Sequence, residues 1–386
     1  MLRDLRVADI CATGSLLFVG LIGVFAVPFQ IGALIDGPKL SATLAGVLGT
    51  AELAAMSLTS ILIAPVLGRI PLRWCALAGI GLAVVGEGST ALTANTWLLS
   101  SARMMTGIGS GAVLAATTAI IATGAAPDAV MGLGLTFANV VFFALFLLTP
   151  RVLTAFDYQG LFVMLALFVL LAGASLPWLP GPRRRQPVAK DVSPESTIDR
   201  PRAIILVGGV LLLNVGLGAV WSFAERMGHQ IGLSGQHIGE ILSGCSIAMT
   251  AGSFGAGLVG DRFGHQGPLV VGSILCGIGC YATAMATGPT GYTAGLLVYN
   301  FCYLMIGPFV IVGVPSRLDA SGRLAAAVGG FMWLAYAAGV SAGGLITDHA
   351  SIKGIGTFAL GGCLVAALAF FYVARCRPDP GAHTDR

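Results

Sequence analysis

Polar breaks divide the chain into twelve long apolar runs, and a helix that crosses a bilayer needs about 20 apolar residues. The runs fall into two sets of six, at 10–35, 42–68, 72–93, 97–122, 129–152 and 159–180, then at 203–227, 238–260, 268–288, 291–314, 324–347 and 354–375. The pattern predicts an all-α membrane protein with 12 transmembrane helices in two six-helix bundles, residues 1–180 and 203–375. The first run is too long for the apolar core of a signal peptide, so we expect a retained helix.

Two polar segments lie outside the predicted bundles. Residues 181–202 contain four prolines and the basic cluster Arg183 to Arg185, so this segment cannot span and is predicted to be a cytoplasmic linker. Residues 376–386 form a short polar tail, also predicted to be cytoplasmic.

Composition supports a membrane protein with several spans. Charged residues make up 10% of the chain, against about 25% in soluble proteins, and the mean hydropathy is +0.89. The 55 glycines suit close helix packing in lipid. The eight cysteines lie almost entirely in apolar runs, without C-x-x-C or histidine at ligand spacing, so we expect packing residues, no metal site and no cofactor.

The distribution of basic residues predicts the orientation. With the N-terminus inside, sixteen lysines and arginines fall in inside segments and four fall outside, namely Lys39, Arg151, Arg226 and Lys353. Both termini are therefore predicted to be cytoplasmic, in the inner (plasma) membrane of a bacterium. The same distribution explains the net charge of +4 without a nucleic-acid partner. We expect a monomer in the lipid bilayer.

The two halves of the chain are related in sequence. A shift of 193 residues aligns the segment from Leu40 with the segment from Leu233 without gaps. The shift pairs Ser41 with Ser234, Gly46 with Gly239, and Arg69 with Arg262, whereas Gly68 lies opposite Asp261. Two pseudo-symmetric halves are typical of secondary transporters whose binding site lies between the halves, near the membrane midplane.

Three features resemble the major facilitator superfamily. "GLVGDRFG", residues 257–264, is similar to its loop motif G-x-x-x-D-R-x-G-R, and "RMMTGIGSG", residues 103–111, is similar to the fourth-helix motif R-x-x-x-G-x-G. The two sets of six runs around a basic loop complete the resemblance. It implies a transporter that moves a small organic solute by alternating access, coupled to protons.

Two departures from the family patterns bear on the alternative functions. The first-half copy of the loop motif, "IAPVLGRIPLRW", lacks the acidic residue, and the fifth run lacks the G-P-x-x-G-G pattern that resembles drug/proton antiporters. The missing pattern counts against an efflux exporter of amphiphilic compounds, which stays the first alternative, and a non-transporting receptor or scaffold is the second. Matches to nucleotide-binding and hydrolase motifs, G-x-G-x-x-G at 255–260 and G-x-S-x-G at 339–343, lie within apolar helical runs, so we do not expect an enzyme.

Three charged residues fall inside predicted spans, where each needs a partner or a wet cavity. Glu87 and Arg103 lie eight residues on either side of Asn95, at the predicted turn, so both should be about 12 Å from it. Arg103 is predicted either to pair with Glu87 or to face the cavity, where it would bind an anionic substrate or take part in coupling. Glu52 lies near the midplane without an opposite charge nearby in sequence, and we expect it to carry the coupled proton, with Glu87 as a second candidate.

Polar and aromatic residues on helices that line the cavity in the superfamily predict a substrate site for a small amphiphilic molecule. These residues are Phe29, Gln30, Asn139, Asn214, Trp221, Tyr299, Asn300, Tyr303, Trp333 and Tyr336. Packing within the bundles and an interfacial aromatic belt are the alternatives for each of them.

Gating contacts are predicted at both ends of the molecule. At the cytoplasmic end, Asp261 should accept hydrogen bonds from the start of the fifth helix while Arg262 pairs with Asp128. A weaker lock between Arg69 and Asp319 is expected in the other half. Glu225 and Arg226 lie near the outer end of the seventh run and belong either to an external gate or to a solvated loop.

Overall fold

The computed structural model describes residues 7–67, 69–123, 127–179, 200–263, 266–319 and 323–375, and helices account for nearly all of them. The first half contains α1 Val7–Asp36, α2 Ala42–Ile63, α3 Leu72–Ala91, α4 Thr96–Ala122 and α5 Pro127–Gly173. The second half contains α6 Arg200–Ser222, α7 Ala224–Gln230, α8 Gly235–Phe263, α9 Gln266–Met285, α10 Pro289–Pro308, α11 Pro315–Leu318, α12 Arg323–His349 and α13 Gly354–Arg375.

Helix α5 contains two membrane crossings. Its 47 residues would extend about 70 Å, more than twice the thickness of a bilayer core. Phe156 and Asp157 have non-helical backbone angles, and Asp157 lies at a φ of 54°, so the chain reverses there. Of the described segments, ten are long and apolar enough to span, and one of the ten covers both halves of α5. With α8, which has 29 residues, the predicted twelve crossings are confirmed.

Side-chain caps explain two of the helix starts. Ser41 caps α2 by accepting a hydrogen bond from Leu44 N at 3.1 Å, and Asn95 caps α4 by accepting from Trp97 N at 3.0 Å. The predicted run 203–227 is wrong at its end, because Phe223, at φ −105° and ψ 9°, separates α6 from the short α7. The predicted run 291–314 is also too long as a single α-helix, since α10 gives way to a π-turn at Phe309–Gly313.

The first five helices form one bundle, helices α6 to α13 form the other, and the bundles meet mainly where α2 packs on α12 and α5 packs on α8. We call the end with residues 36–42, 156–157, 223–235 and 349–354 the far end, and the end next to residues 180–199 the linker end. Asp348 of α12 accepts hydrogen bonds from Thr43 N at 2.7 Å and Ala42 N at 3.3 Å. It thereby caps α2 from the other bundle.

Small residues allow α2 and α12 to pack closely. A Cβ at Gly344 would clash with the carbonyl oxygen of Ala42, and a Cβ at Gly46 would lie 2.8 Å from the carbonyl oxygen of Val340. Nearer the linker end, the Thr50 hydroxyl donates to the carbonyl oxygen of Ala337 at 2.7 Å. This seam therefore depends on backbone contacts that a larger side chain would separate.

Gly344→Leu is expected to lower the free energy of unfolding by about 1 to 3 kcal/mol, because overpacking forces α12 away from α2. Thermal unfolding of the purified protein in detergent measures the change. Gly361→Leu is the matched control, since a Cβ at Gly361 meets nothing within 4 Å. Equal losses of stability in both variants would contradict a close seam at Gly344.

Candidate functional site

A buried cluster of three charged side chains lies inside the first bundle. Arg103 Nη2 of α4 is 2.8 Å from Glu87 Oε2 of α3, and Arg103 Nη1 is 3.1 Å from Glu52 Oε2 of α2. Arg103 Nη2 also donates to Thr90 Oγ1 at 2.7 Å and to Thr106 Oγ1 at 3.3 Å. We call Glu52, Glu87 and Arg103 the charged triad.

The charged triad is sealed from the surface. The exposed fraction of each of its three residues is at most 1%. The Arg103 guanidinium carbon lies 4.8 Å from the ring centroid of Phe162, in the second crossing of α5. Close packing makes the meeting possible, because Gly107 of α4 lies against the backbone carbonyl of Glu52, where any Cβ would clash.

Of the two alternatives stated for Arg103, the structure shows the ion pair with Glu87, and it adds a contact with Glu52 that the sequence did not predict. Glu52 and Arg103 are 51 positions apart, so no local spacing connects them. One feature of the sequence could have suggested this contact. Arg73 and Arg151 lie at the ends of their predicted spans, so Arg103 is the one basic residue away from the span ends in the first half that could balance a buried carboxylate.

Each glutamate of the charged triad has one carboxylate oxygen that Arg103 does not contact. Glu52 Oε1 and Glu87 Oε1 lack a hydrogen-bond partner among the described residues. Glu52 Oε1 lies against α1, where a Cβ at Gly23 would be 2.5 Å from it. The Gln30 amide of α1 lies beside the Glu52 carboxylate, yet neither of its polar atoms makes an aligned hydrogen bond to a described residue. The triad therefore has free acceptor capacity next to α1.

The charges of the triad do not cancel. Two ionised carboxylates and one guanidinium leave one net negative charge in a buried site, which is unfavourable in a medium of low dielectric constant. Binding of one proton to either carboxylate would make the triad neutral. The arrangement is therefore suited to taking up and releasing a single proton.

Aromatic side chains form a row that crosses between the bundles. Successive ring centroids are 6.2 Å apart from Phe146 of α5 to Phe142, and 6.3 Å apart from Phe146 to Trp221 of α6, from Trp221 to Tyr299 of α10 and from Tyr299 to Tyr303. Phe29 of α1 joins the row 6.0 Å from Phe146. Trp221 Nε1 also donates to the carbonyl oxygen of Val24 of α1 at 3.0 Å, so the two bundles are closed on each other here.

Six of the residues predicted for the substrate site lie along this row. Asn214 Oδ1 accepts from the Tyr303 hydroxyl at 3.1 Å, and the Tyr336 hydroxyl interacts with the Tyr299 hydroxyl. The structure brings together Phe29, Asn214, Trp221, Tyr299, Tyr303 and Tyr336.

The other predicted substrate residues have different surroundings. Asn139 Nδ2 of α5 donates to Thr250 Oγ1 of α8 at 3.1 Å, on the seam between the bundles. Asn300 Nδ2 donates to its own helix at Leu296, and its Oδ1 lacks a partner among the described residues. The Trp333 ring lies 5.9 Å from the Tyr336 ring, while Gln30 and Arg103 lie at the charged triad.

The predicted gate at the linker end is only partly within the described residues. The side chains of Asp128, Asp261 and Arg262 lie outside them. Arg69 is exposed in the turn between α2 and α3. Asp319 is buried, and its Oδ2 accepts a hydrogen bond from Leu324 N of α12 at 2.8 Å.

A second group of charges joins the bundles at the far end. Arg226 Nη2 of α7 is 2.7 Å from Asp36 Oδ1 of α1, and it donates to the carbonyl oxygen of Gly32 at 2.7 Å. His229 Nε2 is 2.9 Å from Glu225 Oε1, and this hydrogen bond to a carboxylate raises the pKa of His229 above its ordinary value. We call Asp36, Glu225, Arg226 and His229 the far-end clasp. The sequence suggested Glu225 and Arg226 as candidates for an external gate, but it did not suggest Asp36 or His229.

Arg226→Gln is expected to weaken closure of the far end, because the substitution removes the ion pair that connects α7 to α1. A cysteine introduced at Ala33, in the cavity next to the clasp, should then react faster with a polar maleimide added from the far end. Arg151→Gln, an exposed far-end arginine, is the matched control. An unchanged labelling rate in Arg226→Gln would contradict a gating contact.

Comparison with known families agrees with this geometry. A sequence profile described as Major Facilitator Superfamily matches residues 10–331, well over half of the chain. The chain belongs to the major facilitator superfamily. It is an integral membrane protein, and like other members of the superfamily it is a secondary transporter.

Two solved structures from the superfamily share the fold. A crystal structure of a mutant of the nucleoside transporter NupG matches with a TM-score of 0.74 and 15% identity, covering 95% of this chain and 100% of that one. A crystal structure of a D-xylose–proton symporter matches with a TM-score of 0.73 and 16% identity, covering 96% of this chain and 97% of that one. No curated protein matches the sequence.

Proposed function

We propose that this member of the superfamily is a proton-coupled transporter of a small organic solute, and that it has no enzymatic activity. Both termini would be in the cytoplasm of a bacterium, so the linker end faces inward and the far end faces outward. The bias of sixteen basic residues against four supports this orientation. The charged triad is the observation that carries the proposed proton coupling.

Helix α1 supplies the proposed connection between substrate and proton. On one side it contributes Phe29 to the aromatic row, and on the other it presents Gly23 and Gln30 to Glu52. A shift of α1 when a solute enters would change the surroundings of the Glu52 carboxylate. Solute binding and proton binding would thereby affect the same helix, which is the requirement for coupling the two.

A small amphiphilic solute suits the residues that meet between the bundles. Aromatic rings would supply most of the apolar contact with the solute. Asn214 and the tyrosine hydroxyls would supply a few directional hydrogen bonds. The two structural neighbours are described as a nucleoside transporter and a D-xylose–proton symporter, and both of those solutes are small and polar. We infer a small solute that has both a polar and an apolar surface, and export of amphiphilic compounds is the alternative that the aromatic row favours.

Alternating access would use gates at the two ends. In the described residues the far-end clasp is closed, as expected for a state that does not open outward. At the linker end, the proposed gate consists of contacts of Asp261 and Arg262 with the start of α5. A second proposed contact joins Arg69 to Asp319. We propose that a monomer is sufficient, because each gate is formed by residues of one chain.

Flux measurements in proteoliposomes test the proposal. Solutes that raise the thermal stability of the purified protein at two pH values would be chosen first and then loaded with and without a pH gradient. Accumulation that follows the gradient is expected. A solute that binds without any flux would instead support the receptor alternative.

The far-end clasp should respond to pH through His229. Its pKa is raised by the hydrogen bond to Glu225, so protonated His229 stabilises the clasp fully below its ordinary value of about 6.5. That stabilisation is lost as the pH rises through the raised pKa. The wild-type protein should therefore lose more thermal stability than His229→Gln does between pH 6 and 9. The same slope in both proteins would show that His229 does not contribute.

A further inference from the structure

A cavity lies at the far end, next to the aromatic row. It has a volume of about 600 Å³ and lies between the bundles, bounded by α1, the turn in α5, α7 and the start of α8. Its lining includes Phe29, Asp36, Asp157, Tyr158, Glu225 and His229. We call it the far-end vestibule. Phe29 also belongs to the aromatic row, so the vestibule ends where the row begins.

The charge of the lining is negative. Three carboxylates, from Asp36, Asp157 and Glu225, border the vestibule, and no lysine or arginine is among the described residues that line it. Arg226 lies next to the lining, 2.7 Å from Asp36 and 3.6 Å from Glu225, so one positive charge faces three carboxylates when His229 is neutral. Such a site attracts cations and repels anions.

Glu225, which lines this vestibule, has one carboxylate oxygen that lacks a hydrogen bond from any described residue. Glu225 is 5% exposed, and its Oε2 has no hydrogen-bond partner among the described residues. Arg226 Nε is 3.6 Å from that oxygen, beyond hydrogen-bond distance, and His229 uses the other oxygen. Oε2 packs against Gly32, where any Cβ would clash with it, so a glycine at this position is what lets the carboxylate lie against α1. A buried charged acceptor without a donor is costly unless a ligand supplies one.

The aromatic lining narrows the class of cation. Phe29 and Tyr158 border the vestibule along with the carboxylates, and aromatic faces stabilise ammonium groups in addition to the ion pair. The described residues contain no group of three or more acidic, histidine or cysteine side chains placed to hold a metal ion. A metal ion would therefore find fewer than three such ligands together here, whereas an organic ammonium would find both a carboxylate and ring surfaces.

We propose that the far-end vestibule binds an organic ammonium cation that carries an aromatic or apolar body. The ammonium would donate to Glu225 Oε2, Asp157 would add attraction at the entrance, and the body would lie against Phe29 and Tyr158. This inference rests on the proposed function, since it makes the vestibule the first binding position of a solute that enters from the far end.

Calorimetric titration of the purified protein tests the site with tryptamine and with tryptophol, which replaces the ammonium by a hydroxyl. Tryptamine should bind at least about tenfold more tightly than tryptophol. Glu225→Gln should weaken tryptamine binding by at least about tenfold, because the principal acceptor loses its charge. Asp157→Asn should weaken it by about threefold, as expected for an exposed carboxylate.

Glu240→Gln is the matched control, since Glu240 is an exposed carboxylate at the start of α8, hydrogen-bonded to Gln236, and it does not line the vestibule. It should bind tryptamine as the wild type does. Equal binding of tryptamine and tryptophol, no binding of either, or tryptamine binding that is unaffected in both Glu225→Gln and Asp157→Asn would overturn the inference. Because Asp157 is exposed, its variant remains informative if Glu225→Gln fails to fold.

These results are separate from the test of transport. Selective tryptamine binding in a protein that shows no flux for any solute would support the site and contradict the proposed function. Flux of a neutral solute without selective tryptamine binding would support the proposed function and overturn the site.

Discussion

Replacing Arg103 by methionine is expected to lower the free energy of unfolding by about 3 to 5 kcal/mol. The substitution leaves Glu52 and Glu87 buried, close together and without the guanidinium that contacts both of them. Thermal unfolding in detergent and solute uptake in proteoliposomes would both be measured. We expect no measurable uptake, because the first bundle would no longer hold α2, α3 and α4 in register.

A combined variant separates lost charge balance from lost packing. Arg103→Met with Glu52→Gln and Glu87→Gln should recover most of the stability, since a neutral buried cluster can replace an ionic one at little cost. It should still lack proton-driven uptake. Arg151→Met, at an exposed arginine, controls for the change of residue type. Wild-type stability in the single Arg103 variant would show that the triad is not a coupled charge system.

Glu52→Gln is expected to abolish proton-driven accumulation while solute counterflow continues. One proton per solute supports a concentration ratio of about tenfold per pH unit, so the wild-type protein should approach that ratio and the variant should approach equality. The reason is that glutamine can occupy the space between Arg103 and Gly23 but cannot exchange a proton. Both quantities would be measured in the same proteoliposomes, with and without an imposed gradient.

Glu240→Gln is the control for this experiment as well, because it removes a carboxylate from the surface of α8. It should preserve both accumulation and counterflow. Loss of both activities in Glu52→Gln, or of neither, would contradict a specific role for Glu52 in coupling. In that case Glu87, the other carboxylate of the charged triad, would be the next residue to test.

The number of spans and the relation between the halves could be predicted because both depend on local sequence. A bilayer requires about 20 apolar residues for each crossing, and this requirement is independent of what the helix contacts. The same reasoning predicted the wrong end for the seventh helix. Hydropathy continues through Phe223, although the backbone there leaves the helical region and begins α7.

The charged triad was partly predictable. Glu87 and Arg103 are symmetric about the cap at Asn95, so helix geometry alone places them at one depth. The addition of Glu52 depends on the approach of α2 to α4 at Gly107, a contact between helices that are distant in sequence. No periodicity within α2 reports which helix will lie against it.

The sequence by itself determined the membrane class, the twelve crossings, the two related halves and the superfamily. The tertiary structure decided which polar groups meet. It placed Glu52 on Arg103, Trp221 on the backbone of Val24, and Arg226 on Asp36. The physical reason is that crossing a bilayer depends on the composition of one segment, whereas a buried charge or ring is satisfied by partners on other helices.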